Sequence, residues 1–117
     1  MMRPANDLPD IMLCTQPIDF RKGIVGLAAL VEDSLEVSPF GGKLFVFTNR
    51  RRDKVKVLYW ERSGFCMWQK RLEKERFHWI KGSGVVTITG QQLNWLLDGY
   101  DITRMKPHKL LNYAYAS

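Results

Sequence analysis

Asn49-Arg50-Arg51-Arg52-Asp53-Lys54 puts four cationic side chains into six consecutive residues, flanked by a turn-forming Asn and Asp. A guanidinium is planar and always charged, and its donor fork matches phosphate oxygens and guanine edges. At the tip of a hairpin, such groups can straddle a nucleic-acid backbone. Lys54, Lys56, Trp60, Trp68 and Lys70 follow at strand spacing. On one exposed sheet face they would set base stacking beside phosphate neutralisation. If Trp60 and Trp68 are core instead, the lysine stems merely line its rim, so the burial of these two tryptophans decides the matter. Arg71, Lys74 and Arg76 form a second cluster, interrupted by Glu73 and Glu75. Arg50, Arg51, Arg52, Lys54, Lys56, Lys70 and Arg71 are the expected nucleic-acid contacts. Arg21-Lys22 opens a predicted helix, where cations oppose the macrodipole, which hints at a phosphate or partner contact.

Catalysis has less to draw on. Two-metal chemistry needs clustered acids, and Asp19, Asp53, Glu61 and Asp101 are scattered over turns and element ends. His78 and His108 lack partners at zinc-ligand spacing. Cys66 sits in an apolar strand without a nearby His. Gly23-Ile24-Val25-Gly26 and Gly82-Ser83-Gly84 lack the remaining spacing of a phosphate loop. No catalytic residue, metal or cofactor is expected, and the protein is not expected to be an enzyme.

The elements that must hold these residues follow from periodicity. Ile11–Cys14, Leu44–Thr48, Lys54–Trp60, Phe65–Leu72 and Val85–Ile88 read as strands, the middle three as an antiparallel meander. Phe77–Ile80 extends the pairing in this view. Ile24, Leu27, Val31 and Leu35 recur at helical spacing, predicting roughly four turns capped by Asp19 and ended by Ser38-Pro39. Thr89-Gly90-Gln91-Gln92 fits a capping box before Leu93, Leu96 and Leu97, predicting a helix over Gly90–Asp98. The expected fold is α+β: an antiparallel sheet of four to five strands packed by two helices, in a single domain. Residues 1–9 are expected to be a flexible N-terminus, 10–106 the domain, and 107–117 a C-terminal tail.

With 117 residues, 45% of them hydrophobic, the chain can bury a real core, which argues against disorder. The net charge of +6 favours polyanionic partners, and its distribution sharpens the point. Residues 1–42 carry three basic and six acidic side chains, whereas residues 43–81 carry twelve basic and four acidic. Pro4, Asn6, Asp7 and Pro9 stand where a secretory signal would place apolar residues. Ile24–Val31 is too short to span a bilayer. Cys14 and Cys66 read as thiols in a reducing compartment. A cytoplasmic protein without a membrane partner is expected.

Several motifs, in order, carry a resemblance. Asp19-Phe20-Arg21-Lys22-Gly23, Pro39 through Phe47, Asn49 through Trp60, Lys70-Arg71-Leu72-Glu73 and Gln91 through Gly99 together resemble the TnpB accessory proteins. These are second-open-reading-frame products of the insertion-sequence family numbered sixty-six, and are unrelated to the RNA-guided nucleases that share the label. The similarity spans about residues 10–106. It implies a small protein encoded beside a separate transposase and needed for efficient transposition, with no assigned active site. The expected partners are DNA, and the cognate transposase or another transposon-encoded protein. A pure adaptor would dock on the latter through exposed aromatics among Tyr59, Trp79, Trp95 and Tyr100.

Overall fold

A computed structural model describes residues 3–7 and 10–105. The elements run β1 (Ile11–Cys14), α1 (Ile24–Asp33), β2 (Phe45–Thr48), β3 (Lys54–Glu61), β4 (Gly64–Arg71), β5 (Val85–Ile88) and α2 (Gly90–Leu97). They build an α+β domain on a five-stranded sheet of order β4-β3-β2-β1-β5. The expected meander is present: β2 pairs antiparallel with β3, and β3 with β4. The expectation of a wholly antiparallel sheet is corrected at one seam. β1 and β2 are parallel, with Met12 opposite Phe45 and Leu13 opposite Val46. The cause is the long connection through α1, because parallel neighbours need a crossover and a helix supplies it.

Side chains alternate across the sheet, so each strand feeds two cores. On one face Phe45, Phe47 and Leu58 meet Leu27 and Val31 of α1. On the other, Val46, Val55 and Val57 meet Leu93, Leu96 and Leu97 of α2, with Phe77, Trp79 and Ile102. The sheet therefore lies between the two helices.

The helices differ in how they begin. Thr89 and Gln92 form the expected box: Gln92 N donates to Thr89 Oγ1 at 3.2 Å, and Thr89 N to Gln92 Oε1 at 2.9 Å. α1 is shorter than its periodicity suggests. It starts after Gly23, which makes no side-chain cap. Asp19 is not its cap, because its carboxylate accepts from Arg21 N at 2.9 Å and from the Arg21 guanidinium at 2.6 Å.

Phe77–Ile80 adds no strand. Phe77 N donates to Arg52 O at 2.7 Å, and the Trp79 indole N–H to Cys14 O at 2.9 Å. The segment crosses the end of the sheet and drops both aromatic rings into the core.

Residues 3–7, part of the expected N-terminal segment, lie along α2. Gln91 N donates to Asn6 O at 3.0 Å, filling one of the amide donors that a first helical turn leaves open. Asn94 Nδ2 donates to Pro4 O at 2.9 Å, and Arg3 pairs with Asp98 at 2.9 Å. The predicted tail, residues 107–117, lies outside the described residues.

Candidate nucleic-acid interface

The β2–β3 turn is organised by Asn49. Its Oδ1 accepts from Asp53 N at 3.2 Å and Lys54 N at 3.1 Å, while its Nδ2 donates to Asp53 Oδ1 at 2.6 Å. Its backbone oxygen accepts from Arg52 N at 3.1 Å. One asparagine thus closes both ends of the turn, the local competition with ladder bonds for which Asx residues are favoured there. The Asn49 amide, and secondarily the charge of Arg51, holds the Asp53 carboxyl below its ordinary value.

That scaffold sorts the three arginines. Arg50 and Arg51 occupy the exposed part of the turn. Arg51 lies 4.0 Å from Asp53 with its side chain 77% exposed, and a pair so loose and solvated is weak. Arg50 makes no ion pair among the described residues; it borders a shallow hollow of about 240 Å³ with Pro17, Ile18 and Asp19. Arg52 takes a left-handed backbone, φ 60°, and turns to the opposite flank. There its side chain is half-buried and lines a pocket of about 420 Å³ beside residues 77–81.

The lysines divide differently from their sequence pattern. Lys54 stands directly opposite Arg71 in the β3–β4 register. Two like charges facing across a ladder destabilise it; Glu73, 3.2 Å from Arg71, and Asp53, whose carboxylate feels the charge of Lys54, offset them in part. The arrangement favours an incoming anion.

Lys56 and Lys70, both in the expected contact set, hold partners within the fold. Lys56 is 5% exposed, and its ammonium donates to Phe20 O at 2.8 Å and Lys22 O at 2.9 Å, 4.6 Å from the centre of the Phe20 ring. Burial, then the charge of Lys54, pushes its pKa below the usual lysine value. Lys70 donates to Leu97 O at 2.8 Å, a cation at the carbonyl end of α2, where the helix dipole favours one. Both lysines are occupied by the fold itself.

The shared stacking face is corrected too. Trp68 opposes Val57 and Lys70 opposes Val55, so both point to the α2 side. Lys54, Lys56 and Trp60 point to the α1 side. Trp68 packs against the larger core. Trp60 meets Phe40 and Phe65 edge-to-face at 5.0 and 4.9 Å. Of the aromatics suggested for an adaptor patch, Tyr59 and Trp79 are buried, Trp95 is half-buried, and Tyr100 alone is exposed. Phe40, which the sequence did not single out, is 51% exposed.

Arg21 and Lys22 gain a place beside the turn. Ile18 N donates to Thr48 O at 2.9 Å, and Lys56 holds the carbonyls on either side of Arg21. The side chain of Arg21 stays 91% exposed although it pairs with Asp19. That pairing lowers the Asp19 carboxyl to about 2.

Substituting Lys56 by Met should separate fold from binding. Two partly buried carbonyls lose their donor, so stability should fall by about 1–2 kcal/mol, while the salt dependence of nucleic-acid binding stays unchanged. Thermal melting and a salt titration check this. A flatter salt slope in Lys56→Met would return the residue to the contact set.

Among the described residues no group of three or more His, Cys, Asp or Glu side chains is placed to hold a metal ion. Asp19, Asp53 and Asp101 are each bound to local partners. Cys14 is a buried core thiol, its pKa raised by burial. No described helix is long and apolar enough to cross a membrane.

A family profile described as IS66 Orf2-like protein matches residues 9–107. Two proteins of Sinorhizobium fredii, both designated uncharacterised, are similar over most of their length. The protein y4jC is 38% identical over 108 residues, covering 91% of each chain. The protein y4hO is 35% identical over 101 residues, covering 86% of this chain and 88% of its own. No solved structure matches the chain.

Proposed function

The chain belongs to the IS66 Orf2-like family, and from that premise we propose that it is an accessory protein of insertion-sequence transposition that holds nucleic acid on its basic β2–β3 turn. One observation carries the binding role: Arg50 and Arg51 are exposed on a turn closed by Asn49, and among the described residues their one ion pair is the loose 4.0 Å contact of Arg51 with Asp53. The like-charged Lys54 and Arg71 extend that positive surface along the ladder. Such groups displace condensed counterions from a phosphate backbone, so binding weakens steeply with salt. They position a duplex rather than read its sequence.

Fluorescence anisotropy with transposon-end duplex, random duplex and RNA, each at two salt concentrations, tests this. The expected result is binding that falls with salt for every duplex. Absence of binding at low salt, or affinity indifferent to salt, would sink the proposal.

An adaptor role draws support from a different place, the Phe40–Trp60–Phe65 cluster with Phe40 half exposed. It requires the chain to co-purify with the transposase after nuclease treatment. Loss of the partner on that treatment counts against it.

A further inference from the structure

The pocket of about 420 Å³ on the far flank of the basic turn is unused by the proposal above. We propose that it is a phosphate-binding site that takes one phosphate of the nucleic-acid strand held by the turn. This rests on the nucleic-acid reading and assigns a specific site within it.

Arg52 forms one wall. Its backbone is pinned on both sides, by the donation of Arg52 N to Asn49 O and of Phe77 N to Arg52 O at 2.7 Å. The side chain is therefore delivered to the pocket rather than left to wander in solvent. Its Nε is buried and has no hydrogen-bond partner among the described residues. A buried donor on a charged group that lacks an acceptor is rare and calls for an explanation. The enclosed Nε is closed to a ligand, so a phosphate in the pocket is met by the terminal nitrogens of the same guanidinium, which lines the wall and can donate to two phosphate oxygens.

The other lining groups agree. Lys81 and His78 are exposed at the pocket and flank the buried Trp79. Lys81 makes no ion pair among the described residues. Asp101 is the one acid in the lining, and its charge is already engaged. Its Oδ1 accepts from Thr103 N at 3.1 Å and Thr103 Oγ1 at 2.5 Å, and its Oδ2 lies 3.6 Å from Arg104 Nε. The cavity is far larger than a phosphate group, which leaves room for the attached sugar. It also adjoins the turn through Arg52 itself.

The test follows the arginine Nε–H signals of the full chain by NMR. The probes are inorganic phosphate, then a short single-stranded oligonucleotide with a 5′-phosphate or a 5′-hydroxyl. The expected result is movement of the Arg52 signal with phosphate and with oligonucleotide. Lys81→Ala should weaken oligonucleotide binding about fivefold at ~0.1 M salt, one single-strand phosphate contact. A response to the 5′-phosphate strand alone makes a terminal phosphate the occupant, and equal responses make it an internal diester. If the Arg52 signal is silent to oligonucleotide while Arg50 and Arg51 respond, the pocket proposal is wrong and the binding turn stands. If all three are silent, both fail. A response confined to inorganic phosphate also overturns the proposal, leaving an anion site unconnected with nucleic acid.

Discussion

The double variant Arg50→Ala, Arg51→Ala should lose roughly sixtyfold in duplex affinity at ~0.1 M salt and flatten the logarithmic salt slope by about 2. The estimate follows from counterion release. Each phosphate neutralised contributes about 0.9 to the slope, hence about 0.9 decades of affinity at ~0.1 M. The loss should be the same for transposon-end and random sequences, because phosphate contacts carry no sequence information. Stability should stay within about 0.5 kcal/mol of the parent, since both side chains are exposed and neither is a partner in the bonds that close the turn. Titration at several salt concentrations, with a melting curve as control, gives all three quantities. An unchanged slope in a folded variant would mean that the phosphates are met elsewhere.

Gly90→Ala should cost about 2–3 kcal/mol, lowering Tm by roughly 10 °C. A β-carbon at this first residue of α2 would overlap the carbonyl oxygen of Ala5 and lie 2.8 Å from its carbonyl carbon. Both are backbone atoms, so the N-terminal segment must leave. With it go the bonds from Gln91 N to Asn6 O and from Asn94 to Pro4 O, and the pair between Arg3 and Asp98. Removing residues 1–7 supplies the second arm of a double-mutant cycle. In the shortened chain Gly90→Ala should be nearly neutral, since the atoms it strikes are gone and alanine is the better helix former. Equal costs in both backgrounds would show that the segment does not press on Gly90. Limited proteolysis reads the same event directly, as new cleavage before Ile11 in Gly90→Ala.

Local chemistry made much of this fold legible. Short runs of mostly apolar residues marked β1 and β5 at their observed limits, Ile11–Cys14 and Val85–Ile88. Thr89 and Gln92 announced α2 because both halves of the box lie within four residues. α1 was overextended for a reason of the same kind. Leu35 continues the apolar period, but Glu36 takes a φ of 54° and the helix has already closed at Ser34. Leu35 packs in the α1-side core without being helical.

By itself, the sequence determined the list of elements, the basic middle third and a turn bearing three arginines, all of which rest on neighbours in the chain. Tertiary structure alone decided which cations are available. Lys54, Lys56 and Lys70 are indistinguishable as lysines on strands. Yet Lys56 meets carbonyls 36 and 34 positions away, and Lys70 one 27 positions away. Such partners are set by the parallel β1–β2 seam and the strand register, where a shift of one residue sends every side chain to the other face. The division of the arginine run is equally remote in origin: Phe77, bound to Arg52 across the end of the sheet, helps turn one guanidinium inward and leaves two facing out.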